Sequence, residues 1–502
     1  MDADAGSVPH PPLWRRPGIV AAVALGVMTV ALTVSANVAW LRSGEVAGPP
    51  GPTPGPQTVL MAEYLIGVQS MLGPMLNNEL LNISDLVEQT AATTPAPVGN
   101  LHAAMLSVWF EGPEMARAYL NEAGTELAVD PGAALGTGPE VASDGAAADG
   151  ANGASTPSAR DEFGADHATL VVLIEDGADA IDQAARDRLV NRYGLLGEMA
   201  LASRTDASDP ARVAIEGRGW STAFVMFGFG GVVFGALGIG FVLMIVAIVL
   251  AVQGRIRPTY DWWIVRHAAD ARGGMPGGAI HPAYLESACV FLALFVLFKI
   301  GLGLVPALGV VSPLIQWGLL GAAAWPLVRG VPWGELRMVV GWHRGRGVAA
   351  EVLAGIGGYL ALLPGVAVAF AVVLALVFVG GRLGLPAPGH PATDQAAGTS
   401  WVDALVLYSL VAVWAPVVEE TVFRGLLYHP VRRWAGVLGG AAVSAVIFAA
   451  IHPQGVLIVP ALAALGFNFA LLREWRGSAI APMVAHGLHN TVVLTFALLL
   501  FG

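Results

Sequence analysis

In this 502-residue chain the residues best suited to chemistry lie near the C-terminus, where charge is costly. The stretch VVEETVFR at 417–424 sets Glu419, Glu420 and Arg424 between two apolar runs, WVDALVLYSLVAVWAP (401–416) and GVLGGAAVSAVIFAAI (436–451). On a helix Glu420 and Arg424 are four apart and can pair, which lowers the cost of keeping both near lipid. Glu419 is turned about 100° from Glu420 and is left free of that pair. FAAIHPQG (448–455) ends a further apolar run with His452, and PMVAHGLHNTVV (482–493) puts His486 and Asn490 four apart on one helix face, with His489 next to Asn490. Taken singly, each has a plainer reading: a solvated helix end, or a histidine satisfied by packing. Together, an unpaired carboxylate, imidazoles and an amide in apolar chain read as a functional site, because ionisable groups inside a membrane rarely persist without one.

The elements that must hold these groups are transmembrane helices. Hydrophobic residues make up 55% of the chain and charged residues 13%, the mean hydropathy is +0.64, and several apolar runs are long enough to cross a bilayer. The expected architecture is all-α, a polytopic bundle of about nine spans: 18–41, 221–252, 287–308, 311–328, 349–380, 401–418, 435–451, 455–472 and 479–501. The first run is too long for a signal-peptide core and reads as a retained anchor. Arginines mark every second connection: Arg15 and Arg16; Arg255, Arg257, Arg266 and Arg272; Arg329, Arg337, Arg344 and Arg346; Arg432 and Arg433; Arg473 and Arg476. Positively charged short loops stay cytoplasmic, so the N-terminus 1–17 is expected inside and 42–220 outside. The segment VPWGELRMVVGWHRGRG (331–347) reads as an amphipathic stretch on the membrane surface.

The net charge of −11 is concentrated in one region: residues 41–220 hold 25 acidic residues against 9 arginines. That region begins with the stiff linker GPPGPTPGP and carries apolar residues at helical spacing. Residues 131–160 are Gly/Ala/Asp/Ser-rich and expected to be disordered. DQAARDRLVNRYGLLGEMALAS (182–203) is expected to be one amphipathic helix with Leu189, Tyr193, Leu196 and Met199 on its inner face. This makes a small helical extracytoplasmic region with no catalytic pattern. Residues 221–400 form the first part of the transmembrane bundle and 401–502 its catalytic core. No basic, aromatic-rich patch suggests nucleic acid. The lone Cys289 permits no internal disulfide.

EETVFR, FAAIH and HGLHN, in that order and each beside a span, resemble the three motifs of the CPBP family, the CAAX prenyl protease type II and Abi-like intramembrane endopeptidases. The resemblance covers 401–502. It implies a protease that cleaves membrane-associated protein or lipidated peptide substrates within the bilayer. Carried onto this sequence, it makes Glu419 the base for water and His452 a holder of that water. His486 and Asn490 become donors to the oxyanion, and Glu420 and Arg424 shape the site.

That assignment needs no cofactor. A zinc reading uses His452, His486 and a carboxylate as ligands, although no HExxH is present. A third possibility is a non-proteolytic scaffold or immunity-type protein that kept the fold. Twenty-five arginines against the single Lys299 and an Ala/Gly-rich composition point to a GC-rich bacterial genome. The expected location is therefore the bacterial inner membrane.

Overall fold

The computed structural model describes residues 17–45, 53–72, 83–129, 159–260, 281–309, 311–383, 385, 400–452 and 454–501, and among these it is helical with no strand. The segment expected to be disordered, 131–160, lies outside the described residues except for its last two positions, as do Arg15, Arg16, Arg266 and Arg272. The chain packs as two units, one formed by α1 (Pro17–Glu45) with residues 232–500, the other by residues 45–231.

The second unit contains α2 (Pro56–Leu72), α3 (Ile83–Thr93), α4 (Val98–Phe110), α5 (Pro113–Val129), α6 (Ala159–Asp176), α7 (Gln183–Tyr193), α8 (Leu195–Ala202) and the start of α9 (Pro210–Val252). α4 is apolar nearly all round and is buried all round, Trp109 excepted, so it forms the centre of this unit. The expected helix 182–203 is broken in two at Gly194, whose φ of 53° and ψ of −127° leave helical space. Leu189, Tyr193, Leu196 and Met199 are all buried nonetheless. α7 starts at Asp182, whose side chain accepts from the Ala185 amide at 2.7 Å.

Beneath α7 sits Asp166, fully buried. One of its oxygens accepts from Arg188 Nε and the other from the Tyr193 hydroxyl, both at 2.9 Å, and Arg192 Nε lies 3.2 Å from the second oxygen. Burial and the adjacent carboxylate push the Tyr193 phenol upward, so it stays a donor.

The first unit is built for lipid. Among the described residues six helices are long and apolar enough to cross a membrane, and most of their surface faces outward: Phe234 is 77% exposed and Val368 67%. In water such a surface would be an aggregation site; against acyl chains it costs nothing. The candidate spans lie in α9, α10 (Ala283–Leu304), α12 (Val348–Arg382), the run Trp401–Ala450, α15 (Val459–Arg476) and α16 (Ile480–Phe501), with α11 (Trp333–Val340) a short helix between α10 and α12. Two of the nine expected spans share the run Trp401–Ala450, which turns at Gly436 (φ 74°, ψ −178°), a conformation that only glycine adopts readily. α13 (401–435) precedes the turn and α14 (437–450) follows it.

The expected span 311–328 is a succession of pieces, Ser312–Trp317, Gly318–Ala324 and Trp325–Val328, the middle one a 3-10 helix. The first expected span is the shorter apolar stretch Val20–Ser35 of α1, which docks through Thr33 Oγ1 onto the Ala450 carbonyl at 3.0 Å. α11 does not lie loose on a surface: Leu336, Met338, Val339 and Val340 are buried, and Val340 packs on Gly425 of α13.

Asp166→Ala should cost about 1–3 kcal/mol, since it leaves the buried Tyr193 hydroxyl without its acceptor and takes one partner from each of Arg188 and Arg192, which keep Thr169 and Glu162. Hydrogen exchange over α6–α8 in the full-length protein checks this. Unchanged protection would mean that the cluster contributes nothing to this unit's stability.

Candidate functional site

The site begins with two widened turns in α13. Ser409–Trp414 and Glu420–Leu427 are π-helical, separated by the α-helical stretch Ala415–Glu419. Such turns break the regular pairing of carbonyls with amides and gather at functional sites. Here the break is specific. The Ala415 amide donates to Leu410 O, and residue 416 is proline, so neither in-helix donor is available to the Val411 carbonyl. Asn490 Nδ2 from α16 takes that place at 2.8 Å.

The second turn buries Glu420 and Arg424 completely. Arg424 Nη1 donates to Glu420 Oε1 at 3.1 Å and Nη2 to the Gly466 carbonyl at 2.9 Å. Its guanidinium lies 4.5 Å from the Phe448 ring centre and 5.4 Å from that of Phe469, within cation–π range. A Cβ at position 466 would stand 2.9 Å from Arg424 Nη2, which explains the glycine.

Glu420 Oε1 also receives His486 Nδ1 at 2.9 Å. A carboxylate only accepts, so Nδ1 carries the proton. The His486 ring is stacked on Phe469, with centroids 4.9 Å apart and planes 17° apart, and its Nε2 reaches to 3.8 Å from Glu419 Oε2. His452 Nδ1 lies 2.6 Å from the Phe448 carbonyl, so it too is the donating nitrogen.

Glu419, His452, His486 and Asn490 line one cavity of about 200 Å³, closed further by Phe448, Gln454 and Phe469. Four of the six residues picked from the sequence therefore face a common space. Glu420 and Arg424 stand behind it, the first holding His486 and the second holding Glu420. Glu419 Oε2 is buried and has no hydrogen-bond partner among the described residues.

Among the described residues no three His, Cys, Asp or Glu side chains are grouped so that they could hold a metal ion. The cavity wall also includes His489, which motif reading named beside Asn490 but gave no role, and Gln454, which it passed over. His489 is three residues after His486, and that spacing on the face of α16 was the available signal. Gln454 offers no such pattern.

Residues 401–492 match the family model described as type II CAAX prenyl endopeptidase, Rce1-like. No curated protein and no solved structure matches the chain significantly. The matched stretch runs from the start of α13 to just beyond Asn490 and so contains every lining residue of the Glu419 cavity except Val493 and Leu494. Through this segment the chain, an integral membrane protein, is similar to the type II CAAX prenyl endopeptidases.

Proposed function

We propose that the protein is an intramembrane endopeptidase that cleaves membrane-associated protein or lipidated peptide substrates with a water activated by Glu419. The observation that carries this reading is the difference between two adjacent glutamates. Glu420 is fully buried behind the cavity with Oε1 held by Arg424 and His486, whereas Glu419 lines the cavity; the Oε2 of each has no hydrogen-bond partner among the described residues. The match over 401–492 supports the reaction class.

Glu419 takes a proton from water. His452 steadies that water as an acceptor, because its Nδ1 proton is spent on the Phe448 carbonyl and Nε2 offers a lone pair. The hydroxide adds to the scissile carbonyl carbon and the electron pair moves to oxygen. Asn490 meets that oxyanion with its second amide hydrogen, and His486 does so when Nε2 is protonated, with the Glu420 carboxylate behind the ring. The C–N bond then breaks as the proton on Glu419 passes to the leaving amine, restoring the carboxylate.

Glu419→Gln should abolish proteolysis by the purified protein in lipid while leaving its melting temperature in place. An active Glu419→Gln enzyme would end the general-base reading, and a phenotype that survives the loss of activity would favour a scaffold. Asn490→Ala should cost about 3 kcal/mol of transition-state stabilisation, roughly a hundredfold in kcat. A melting curve separates that from the structural effect of freeing the Val411 carbonyl. Chelators should leave activity unchanged; loss that added Zn²⁺ restores would assign Glu419 and the histidines to a metal instead.

In the cell we orient the protein in a bacterial cytoplasmic membrane with its N-terminus inside. A reporter inserted within 131–160 should then be extracytoplasmic, and one inserted after Arg433 cytoplasmic. The opposite pattern would invert the topology.

A further inference from the structure

Gln454 belongs to none of the three motifs, yet it lines the Glu419 cavity. Its carboxamide makes no hydrogen bond to any described residue. The polar groups around it are already engaged. His452 and His486 both direct their Nδ1 protons to fixed acceptors, so in neutral form each turns a lone pair toward the reacting space. Asn490 gives one of its two amide hydrogens to Val411. Gln454 adds two amide hydrogens that are committed to nothing in the fold, and they stay donors at any pH.

The turn between α14 and α15 delivers this side chain. At its start the His452 amide donates to the Ala449 carbonyl at 3.2 Å while the His452 ring is tied to Phe448, so the turn is anchored to the end of α14. At its end Gly455 has φ 88° and ψ 164°, a conformation open in practice to glycine alone, and the chain then winds through the 3-10 piece Val456–Ile458 into α15. Leu457, buried, pins that piece. Residue 454 is thus fixed between a tethered histidine and a glycine bend, two positions after the ring that steadies the water.

The carboxamide also has a direction. Oε1 is buried without a partner, whereas Nε2 is not sealed in this way, so the amide hydrogens form its open end. Turning the group over would strand the nitrogen in place of the oxygen and gain nothing. A peptide whose carbonyl becomes an oxyanion in this apolar-walled space needs fixed donors at that oxygen, and a neutral amide supplies one without adding a charge beside Glu419.

We infer that Gln454 is a further catalytic residue, its Nε2 donating to the oxyanion together with Asn490. The inference rests on the endopeptidase reading of the Glu419 cavity.

The test uses full-length protein in lipid vesicles with a fluorogenic S-prenylated peptide, and the same peptide with sulfur in place of the scissile carbonyl oxygen. Melting temperature is followed for each variant. Gln454→Met keeps the length of the side chain and removes the donor; it should lower kcat about tenfold to a hundredfold with KM within about twofold of wild type. Gln454→Glu keeps the shape and should lower kcat at least as far. Sulfur is a poor acceptor, so wild type should turn over the oxygen peptide much faster than the sulfur one, and in Gln454→Met that preference should shrink about tenfold. Wild-type kcat in either variant would overturn the proposal, and so would an oxygen-to-sulfur preference that Gln454→Met leaves unchanged. A loss confined to KM or to melting temperature would reduce Gln454 to a binding or packing residue. Glu419→Gln separates the two readings: if it is inactive while Gln454→Met turns over normally, the endopeptidase survives and this inference falls. A wild-type protein that cleaves no lipidated peptide removes both.

Discussion

A guanidinium sealed from water is the constraint on which the rest of the C-terminal bundle depends. Arg424 has no exposed surface, and removing such a charge from solvent costs several kcal/mol unless its donors are met. The bundle meets Nη1 and Nη2 from two helices, through Glu420 on α13 and the Gly466 carbonyl on α15, and covers the group with the faces of Phe448 on α14 and Phe469 on α15, while Nε has no hydrogen-bond partner among the described residues. Each partner fixes a helix relative to the others. Glu420 then passes the constraint to α16 by accepting from His486, so a charge that does no chemistry sets the orientation of a ring that faces the cavity. Because the two charges neutralise each other, Glu419 is the carboxylate of the pair left to the cavity.

A similar pattern recurs where several arginines end their helices. Glu474 receives both Nε and Nη2 of Arg432 at 2.6 Å, and the Tyr428 hydroxyl at 2.9 Å. Glu351 receives Arg476 at 2.8 and 2.9 Å. Arg473 reaches the carbonyls of Val339 and Gly477. These arginines read in the sequence as markers of a cytoplasmic loop. In the folded chain Arg432, Arg473 and Arg476 are buried and join α13, α15 and α12 into one polar clasp. A planar, forked donor suits this task better than an ammonium.

What the sequence disclosed was whatever is local in the chain. Glu420 with Arg424 and His486 with Asn490 are four apart on helices, and that spacing alone brings each pair to one face. The long apolar runs announced spans by length and composition. What stayed hidden depends on partners distant in sequence or on small departures from ideal helices. Tyr359 meets His489 across 130 positions, and no periodicity in either helix announces it. The break at Gly194, the π turns of α13 and the 3-10 stretch 318–324 each shift a register by less than hydropathy can resolve. Even the burial of α11 had no local signal, because its amphipathic face suits a membrane surface and the flank of α13 equally well.

Pro416 gives Asn490 a second significance. A proline in mid-helix removes an amide, and the wide turn before it takes the neighbouring amide away from Val411 as well. The gap is closed from across the cavity by a side chain that also lines it. Positions 416 and 490 are thus epistatic: a residue other than proline at 416 returns a main-chain donor to Val411 and releases the amide, while loss of the amide at 490 is tolerable to the helix only where 416 can donate. Drift at either position therefore changes what the other can become, and a chain that kept the fold but shed its chemistry would find its easiest path through Pro416.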